Sequence, residues 1–312
     1  MSITITGGFT LSGGGWTVVP PPPPSSKAIF GYGFITPGAG VVSMTNLVSN
    51  TGVVGNDVTG VGTARESPSA AGYGTDKAIF GFGFTASAQT AITNLVSNTG
   101  VVATDTAGVG SARFTLAAAG YGTNKAIFGY GSINGVGDQS ITNLVSNTGV
   151  VATDTAGVGT ARWSLAAAGY GTDKAIFGYG YTTTYVSMTN KVSNTGVVAS
   201  DTTGVGTARQ YLAAATYGTD KAIFGFGTAS SPTNLVSNTG VVSTDTTRVG
   251  TSRYRLAAAG YGVDLAIFGY GFDGTTQVSV TNKVANTGVV ATDTTGVGSA
   301  RQRLAAASYG AA

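Results

Sequence analysis

Apolar positions in this chain come in short runs bounded by Gly, Thr, Asn and Asp, and the most regular stretch reads L-A-A-A-G-Y-G-T-D/N-K-A-I-F-G-Y-G. It is intact at Leu116 to Gly131 and again at Leu165 to Gly180. Two apolar segments around a G-T-D or G-T-N turn predict a β-hairpin. No stretch shows capped 3.6-residue apolar periodicity, so no helices are expected. The A-I-F-G half begins at Lys27, Lys77, Lys125, Lys174, Lys221 and Leu265, in steps of 50, 48, 49, 47 and 44 residues. The chain from 27 to 312 is therefore a sixfold internal repeat, preceded by a short arm.

Turn signals divide each repeat into four extended segments. Segment A is R-x-x-L-A-A-A-G-Y-G, and B is K-A-I-F-G-Y-G. Segment C is the T-N-L/K-V-S/A-N run, and D starts at G-V-V-A and continues through T-D-T. Four short strands in each of six units predict an all-β, six-bladed β-propeller of four-stranded antiparallel blades. The rival is a parallel β-helix, whose coils are usually shorter and need no hairpin turn. The small side chains of A suit an innermost strand, and the Ile and aromatics of B suit a layer packed on both faces. The repeat region opens on B at Lys27 and ends on A, so closure would pair the C-terminal inner strand with the N-terminal blade and hide two sheet edges.

The order R-x-x-L-A-A-A-x-x-G-x-D-x-A-I-F-G-x-G, followed by a T-N-x-V run and a turn, resembles the Kelch repeat over residues 27 to 312. G-Y-G or G-F-G replaces the usual glycine doublet, and Val or Gly stands where a Kelch strand D carries tryptophan. The resemblance implies a propeller that serves as an interaction module.

Composition narrows the chemistry. Charged residues make up 9% of the chain, the net charge is +3, and Cys and His are absent. Thiol chemistry, disulfides and histidine acid–base catalysis or metal binding are thereby excluded. The basic residues are spread among the repeats, giving no footprint for nucleic acid. No apolar run is long enough to insert in a membrane as a helix. No secretory leader is expected either, since no basic segment precedes an apolar one. No cofactor or metal site is expected: T-D-T supplies one carboxylate per repeat, at Asp105, Asp154, Asp201, Asp245 and Asp293, too few for Ca²⁺. Turn capping, or pairing with the Arg eight residues later, is the role those carboxylates suggest.

That Arg recurs at Arg65, Arg113, Arg162, Arg209, Arg253 and Arg301. Two readings stand. The six guanidinium groups form a belt at one mouth of the axis that binds carboxylate or phosphate, with Arg113 and Arg162 among its members, or each bonds carbonyls and a nearby Asp inside its own blade. The two positions after it differ between repeats and include Phe114, Trp163, Tyr211, Tyr254, Arg255 and Arg303. The B-to-C connections also differ, at 34 to 43, 84 to 91, 132 to 140, 181 to 187, 228 to 232 and 272 to 279. In an up-and-down blade both variable sets lie at one end. They form either a recognition face of aromatic platforms and hydrogen-bonding groups or drifting loops.

Residues 1 to 26 share nothing with the repeats. Ser2 to Thr6 alternate as a short strand would, Phe9, Leu11 and Trp16 sit between Gly clusters, and Pro20 to Pro24 predict a polyproline II spacer of roughly 15 Å. The T-G-G-F-T-L-S-G-G-G-W opening and proline run resemble the assembly arms of tailed-phage structural proteins; a disordered tail is the alternative. The resemblance implies a non-enzymatic virion structural or appendage protein on an extracellular particle, in one or several copies. Its arm would dock on other virion proteins through Phe9, Leu11 and Trp16, and its propeller would face a host surface glycan or a neighbouring virion protein. The alternative is a cellular Kelch-like protein–protein interaction scaffold.

Overall fold

In a computed structural model of the chain, the described residues are 9–12, 15–18, 26–228, 231–247 and 249–310. Every element among them is a strand, and the strands pair antiparallel in small sheets. The expected strand at Ser2 to Thr6 and the proline spacer lie outside the described residues. Within the arm, β1 (Phe9–Ser12) and β2 (Gly15–Val18) form a hairpin with Leu11 opposite Trp16.

Six three-stranded sheets follow. The first contains β3 (Lys27–Ile35) and β4 (Gly40–Val48); the second is β5 (Ser69–Tyr73), β6 (Lys77–Gly81) and β7 (Thr93–Val96). In the third repeat, β8 (Ala117–Tyr121) and β9 (Lys125–Gly129) are followed by a small ribbon, β10 (Ser132–Ile133) and β11 (Gly137–Asp138), before β12 (Thr142–Val145) completes the sheet. The fourth and fifth sheets are β13 (Ala166–Tyr170), β14 (Lys174–Gly178), β15 (Thr189–Val192) and β16 (Ala213–Tyr217), β17 (Lys221–Gly225), β18 (Thr233–Val236). The sixth is β19 (Ala257–Tyr261), β20 (Leu265–Gly269) and β21 (Thr281–Val284). Last comes β22 (Ala305–Tyr309), which joins the first sheet beside β3, with Tyr309 opposite Lys27 and Ala305 opposite Gly31. The pairing expected between the last A segment and the first B segment is therefore present.

The A-to-B turns explain the hairpins. At Gly74 and Thr75 φ is +62° and +72°, and the Gly-Thr pairs at 122, 171 and 218 repeat this conformation. Successive positive-φ residues reverse the chain with the hand that strand twist requires.

Segment D departs from expectation. It is not a continuous strand but touches C through two isolated bridges in each repeat, such as Val96 to Val102 and Thr93 to Thr106. Between those bridges D carries one more residue than C, a bulge that breaks the ladder. The cause is the Asn of T-N-L-V. The buried Asn94 amide donates to the Ala103 carbonyl at 3.0 Å and to Asp105 Oδ1 at 2.9 Å, taking the place of backbone pairing. The expected four-stranded unit is thus three strands and a fourth segment held by the Asn side chain and by a few backbone bonds, such as Ala103 N–H to the Leu95 carbonyl at 2.8 Å.

The apolar core is divided among the joints between sheets. Each cluster mixes residues of two neighbours, as Tyr73, Ile79 and Phe82 mix with Leu116, Phe128 and Val145. The A-I-F-G sequence sets this contact: a methyl on Gly178 would stand 2.7 Å from Phe224 Cζ, so Gly leaves the floor on which the next sheet's Phe lies. Edge-on aromatic pairs complete the joint, with Tyr32–Phe80 and Tyr179–Phe224 centroids 5.1 Å apart, and Phe30–Tyr270 between the last and first repeats is also 5.1 Å. The A strands pack successively on one another, and β22 lies against both β19 and β5.

Backbone hydrogen bonds also pass from repeat to repeat. At the A-to-B turns Gly74 N–H donates to Asn124, Gly122 to Asp173, Gly171 to Asp220, Gly218 to Asp264, Gly262 to Ser26 and Gly310 to Asp76. At the other end of the A strands, Thr115 donates to Ser67, Ser164 to Thr115, Tyr211 to Ser164, Arg255 to Tyr211, Arg303 to Arg255, and Ser67 to Arg303 at 2.7 Å. In each series one bond joins the last repeat to the first.

Candidate ligand-binding face

Each A strand is entered through an Arg followed by the two positions that vary, and these adjacent positions have opposite environments. The six recurrent Arg side chains are fully or almost fully buried, at 0–1% exposure. Arg113 illustrates the pattern. Its Nε donates to the Tyr130 carbonyl at 2.8 Å, Nη1 to Ser111 O at 3.1 Å and Nη2 to Asn143 Oδ1 at 2.6 Å, while its guanidinium lies 4.4 Å from the Phe82 ring centroid in the preceding sheet. Burial pulls the pKa of Arg113 and Arg253 down to about 10, leaving both charged at neutral pH.

This corrects two expectations. Arg113 and Arg162 are not part of an accessible belt, because each is fully buried with all three guanidinium nitrogens bonded inside its own sheet. Nor does the T-D-T carboxylate pair with the Arg eight residues later. Asp154 lies 3.8 Å from Arg113, and Asp201 lies 3.9 Å from Arg162, each ion pair spanning one sheet from its first strand to its fourth segment. The Arg eight positions on already belongs to the next sheet. Burial raises the Asp105 pKa, but the Thr63 hydroxyl and the Asn94 amide outweigh burial and hold it below its ordinary value, and Asp57, Asp154, Asp201, Asp245 and Asp293 are lowered likewise. At the joint between last and first repeats, Arg301 Nη2 and Asn46 Oδ1 both lack partners, so the bond made elsewhere between these two groups is missing there.

The first variable position after each Arg bridges the residue following G-Y/F-G in five repeats, as Phe114 bridges Ser132, Trp163 bridges Tyr181 and Tyr254 bridges Phe272. The two variable sets are thereby brought side by side. They generate a continuous aromatic run, Tyr185–Tyr181–Trp163–Tyr211–Tyr254–Phe272, whose neighbouring centroids are 5.5 to 6.3 Å apart. Phe114 stands apart from this run and pairs with Phe84 at 5.4 Å. Tyr181, Tyr185 and Phe272 were not singled out from sequence. Their signal was the aromatic directly after the second Gly of G-Y-G at Tyr181 and Phe272, hidden in stretches read only as variable loops.

The second variable position carries the inter-repeat bonds just described, and all six residues there, Ser67, Thr115, Ser164, Tyr211, Arg255 and Arg303, adopt φ of +51 to +56°. A non-glycine residue in this region is strained by about 1–3 kcal/mol. The strain buys a fixed crown: each N–H points sideways at its neighbour and each side chain is held around the axis. The crown surrounds a shallow depression of about 70 Å³. Beside it, Gln210, Tyr211, Thr228, Tyr254, Arg255 and Asp273 line a cleft of about 360 Å³. Arg255 is the wall between them. It stacks on Tyr211 at 4.6 Å and Tyr254 at 5.4 Å and donates from Nη1 to Gln302 at 3.1 Å, whereas Arg303 Nη1 is engaged by Glu66 at 2.6 Å.

No protein-family model matches the chain, and no curated protein is significantly similar to it. The chemistry of this face therefore rests on its geometry. Tyr211 and Tyr254, with ring centroids 6.3 Å apart, offer apolar platforms, Asp273 offers a carboxylate acceptor, and Arg255 offers donors. No group of three or more carboxylates able to hold a metal ion occurs among the described residues.

Proposed function

We propose that the chain is a six-bladed β-propeller acting as a non-catalytic recognition module, and that its ligand is a saccharide held on the aromatic face. The propeller reading is supported by the succession of packed A strands, by core clusters shared between neighbouring sheets, and by inter-repeat bonds that link the last repeat to the first. Full closure is the standard solution to exposed sheet edges in antiparallel proteins.

One observation carries the functional reading. Aromatic side chains from three successive repeats line up beside a cleft of about 360 Å³ whose other walls are amide, carboxylate, hydroxyl and guanidinium groups. The apolar faces of sugar rings stack on such platforms, and their hydroxyls satisfy the polar rim. The arm's resemblance to phage assembly arms makes a virion appendage the setting, with the face displayed toward a host surface.

A glycan array followed by titration calorimetry tests the reading: the protein binds a saccharide, and Trp163→Ala and Tyr254→Ala each weaken binding at least tenfold while melting stays within a few degrees. Retention of full affinity in both variants would remove the aromatic face from the site. In a particle-producing system, deleting residues 1–19 should abolish incorporation and leave saccharide binding unchanged.

A further inference from the structure

Arg255 differs from every other described arginine in what its charge faces. Arg113, Arg162, Arg253 and Arg301 lie 3.8 to 3.9 Å from an aspartate, Arg303 is paired with Glu66 at 2.6 Å, and the electrostatic partners of Arg65 and Arg209 include Asp105 and Asp245. Among the described residues no carboxylate stands within ion-pair distance of Arg255, and its side-chain bond is to a neutral amide, Gln302. Its Nε is enclosed and has no partner.

Other polar side chains line the hollows on either side of it. Ser164, only 5% exposed, lines the same axial depression, and its Oγ has no partner. On the outer side, Gln210 Oε1 is an enclosed acceptor without a donor. Asp273 lines the far side of that cleft as a carboxylate, held below its ordinary pKa by the Thr276 and Thr275 backbone N–H groups. The half-open Arg255 charge, without a carboxylate of its own, is therefore placed to take an anionic group from a ligand.

We infer that the ligand is an acidic saccharide, whose carboxylate or sulfate group is taken by the guanidinium of Arg255, which lines both hollows, while its hydroxyls bond the polar groups around the cleft. This rests on the saccharide reading above and deepens it. The guanidinium is already held over two tyrosine rings, so it meets a planar or tetrahedral oxyanion with little further ordering. The depression of about 70 Å³ admits one such group and no complete sugar ring, which stays in the cleft.

The experiment is an array carrying uronate-, sialate- and sulfate-bearing glycans with their neutral counterparts, followed by titration of the best acidic glycan and of the same glycan with its acid reduced or removed. The expected result is at least a tenfold preference for the acidic form, equivalent to about 1.4 kcal/mol, falling as salt is raised. Arg255→Gln should abolish the preference, with Arg255→Lys intermediate. Equal binding of the acidic and neutral forms by the wild-type protein overturns this inference and leaves the saccharide reading intact. Binding to no glycan of the array overturns both. The wild-type ratio decides the matter even if a variant fails to fold.

Discussion

Arg253 and Arg255 stand two residues apart in one segment, and they show how the same side chain does different work in this molecule. Arg253 is 1% exposed, bonds the Tyr270 carbonyl, the Thr251 carbonyl and Asn282, lies 3.8 Å from Asp293 and covers the Phe226 ring. Arg255 covers Tyr211 and Tyr254 from a half-open position and keeps an unspent donor. Arg253 has a counterpart in every repeat. Arg255 has a counterpart only in Arg303, which Glu66 neutralises. In an array of near-identical units, the residues every unit shares build the joints, and the singular ones make the site.

The most severe break of this contrast is to remove a joint entirely. Deleting residues 301–312 takes away β22 and Arg301 together, and the cooperative melting transition should disappear along with protection of β3 amides from hydrogen exchange; an unchanged melting curve would sink the closed-propeller reading. Next, Arg253→Ala strips a buried ion pair, three hydrogen bonds and a stacked ring, and is expected to cost about 3–5 kcal/mol in urea unfolding. Gly178→Ala, which drives a methyl against Phe224, should cost about 1–3 kcal/mol. Acid acts on the six Asp carboxylates. Their folded pKa values lie below the unfolded value of about 3.9, so their stabilisation is complete above that pH and is lost as pH falls through the folded values. Melting temperature should therefore hold from pH 7 to about pH 5 and drop below pH 4. The smallest stability effect is Arg255→Ala, about 1 kcal/mol or less, although ligand affinity should fall steeply. If Arg255→Ala and Arg253→Ala destabilised equally, the division between joint and site would not hold.

Local signals were legible in the sequence, and long-range ones were not. The A-to-B hairpin could be read because Gly-Thr-Asp-Lys carries its own turn geometry between two apolar segments. The pairing of the last A segment with the first B segment followed from counting segments. Segment D misled because Val-Val-Ala-Thr-Asp-Thr has strand composition, and nothing local reveals that Asn94 reaches across to displace the ladder. The role of Arg113 was open for a similar reason. Its partners are Tyr130, Asn143 and Asp154, up to 41 residues away, and its stacking partner Phe82 belongs to another repeat. The aromatic run escaped notice because Trp163 and Tyr211 come from one variable set and Tyr181 and Phe272 from another, and only the bridges join them.

The first sheet draws β3 and β4 from one end of the repeat region and β22 from the other. During synthesis the inner edge of β3 must wait for about 270 further residues, roughly 15–50 s at ordinary translation rates. For that interval the nascent chain carries an apolar strand edge with few charges to discourage pairing with a second chain. Assembly in the cell should accordingly depend on how many ribosomes share a message and on chaperones that mask β3, and exchange of β22 between two chains is the characteristic error.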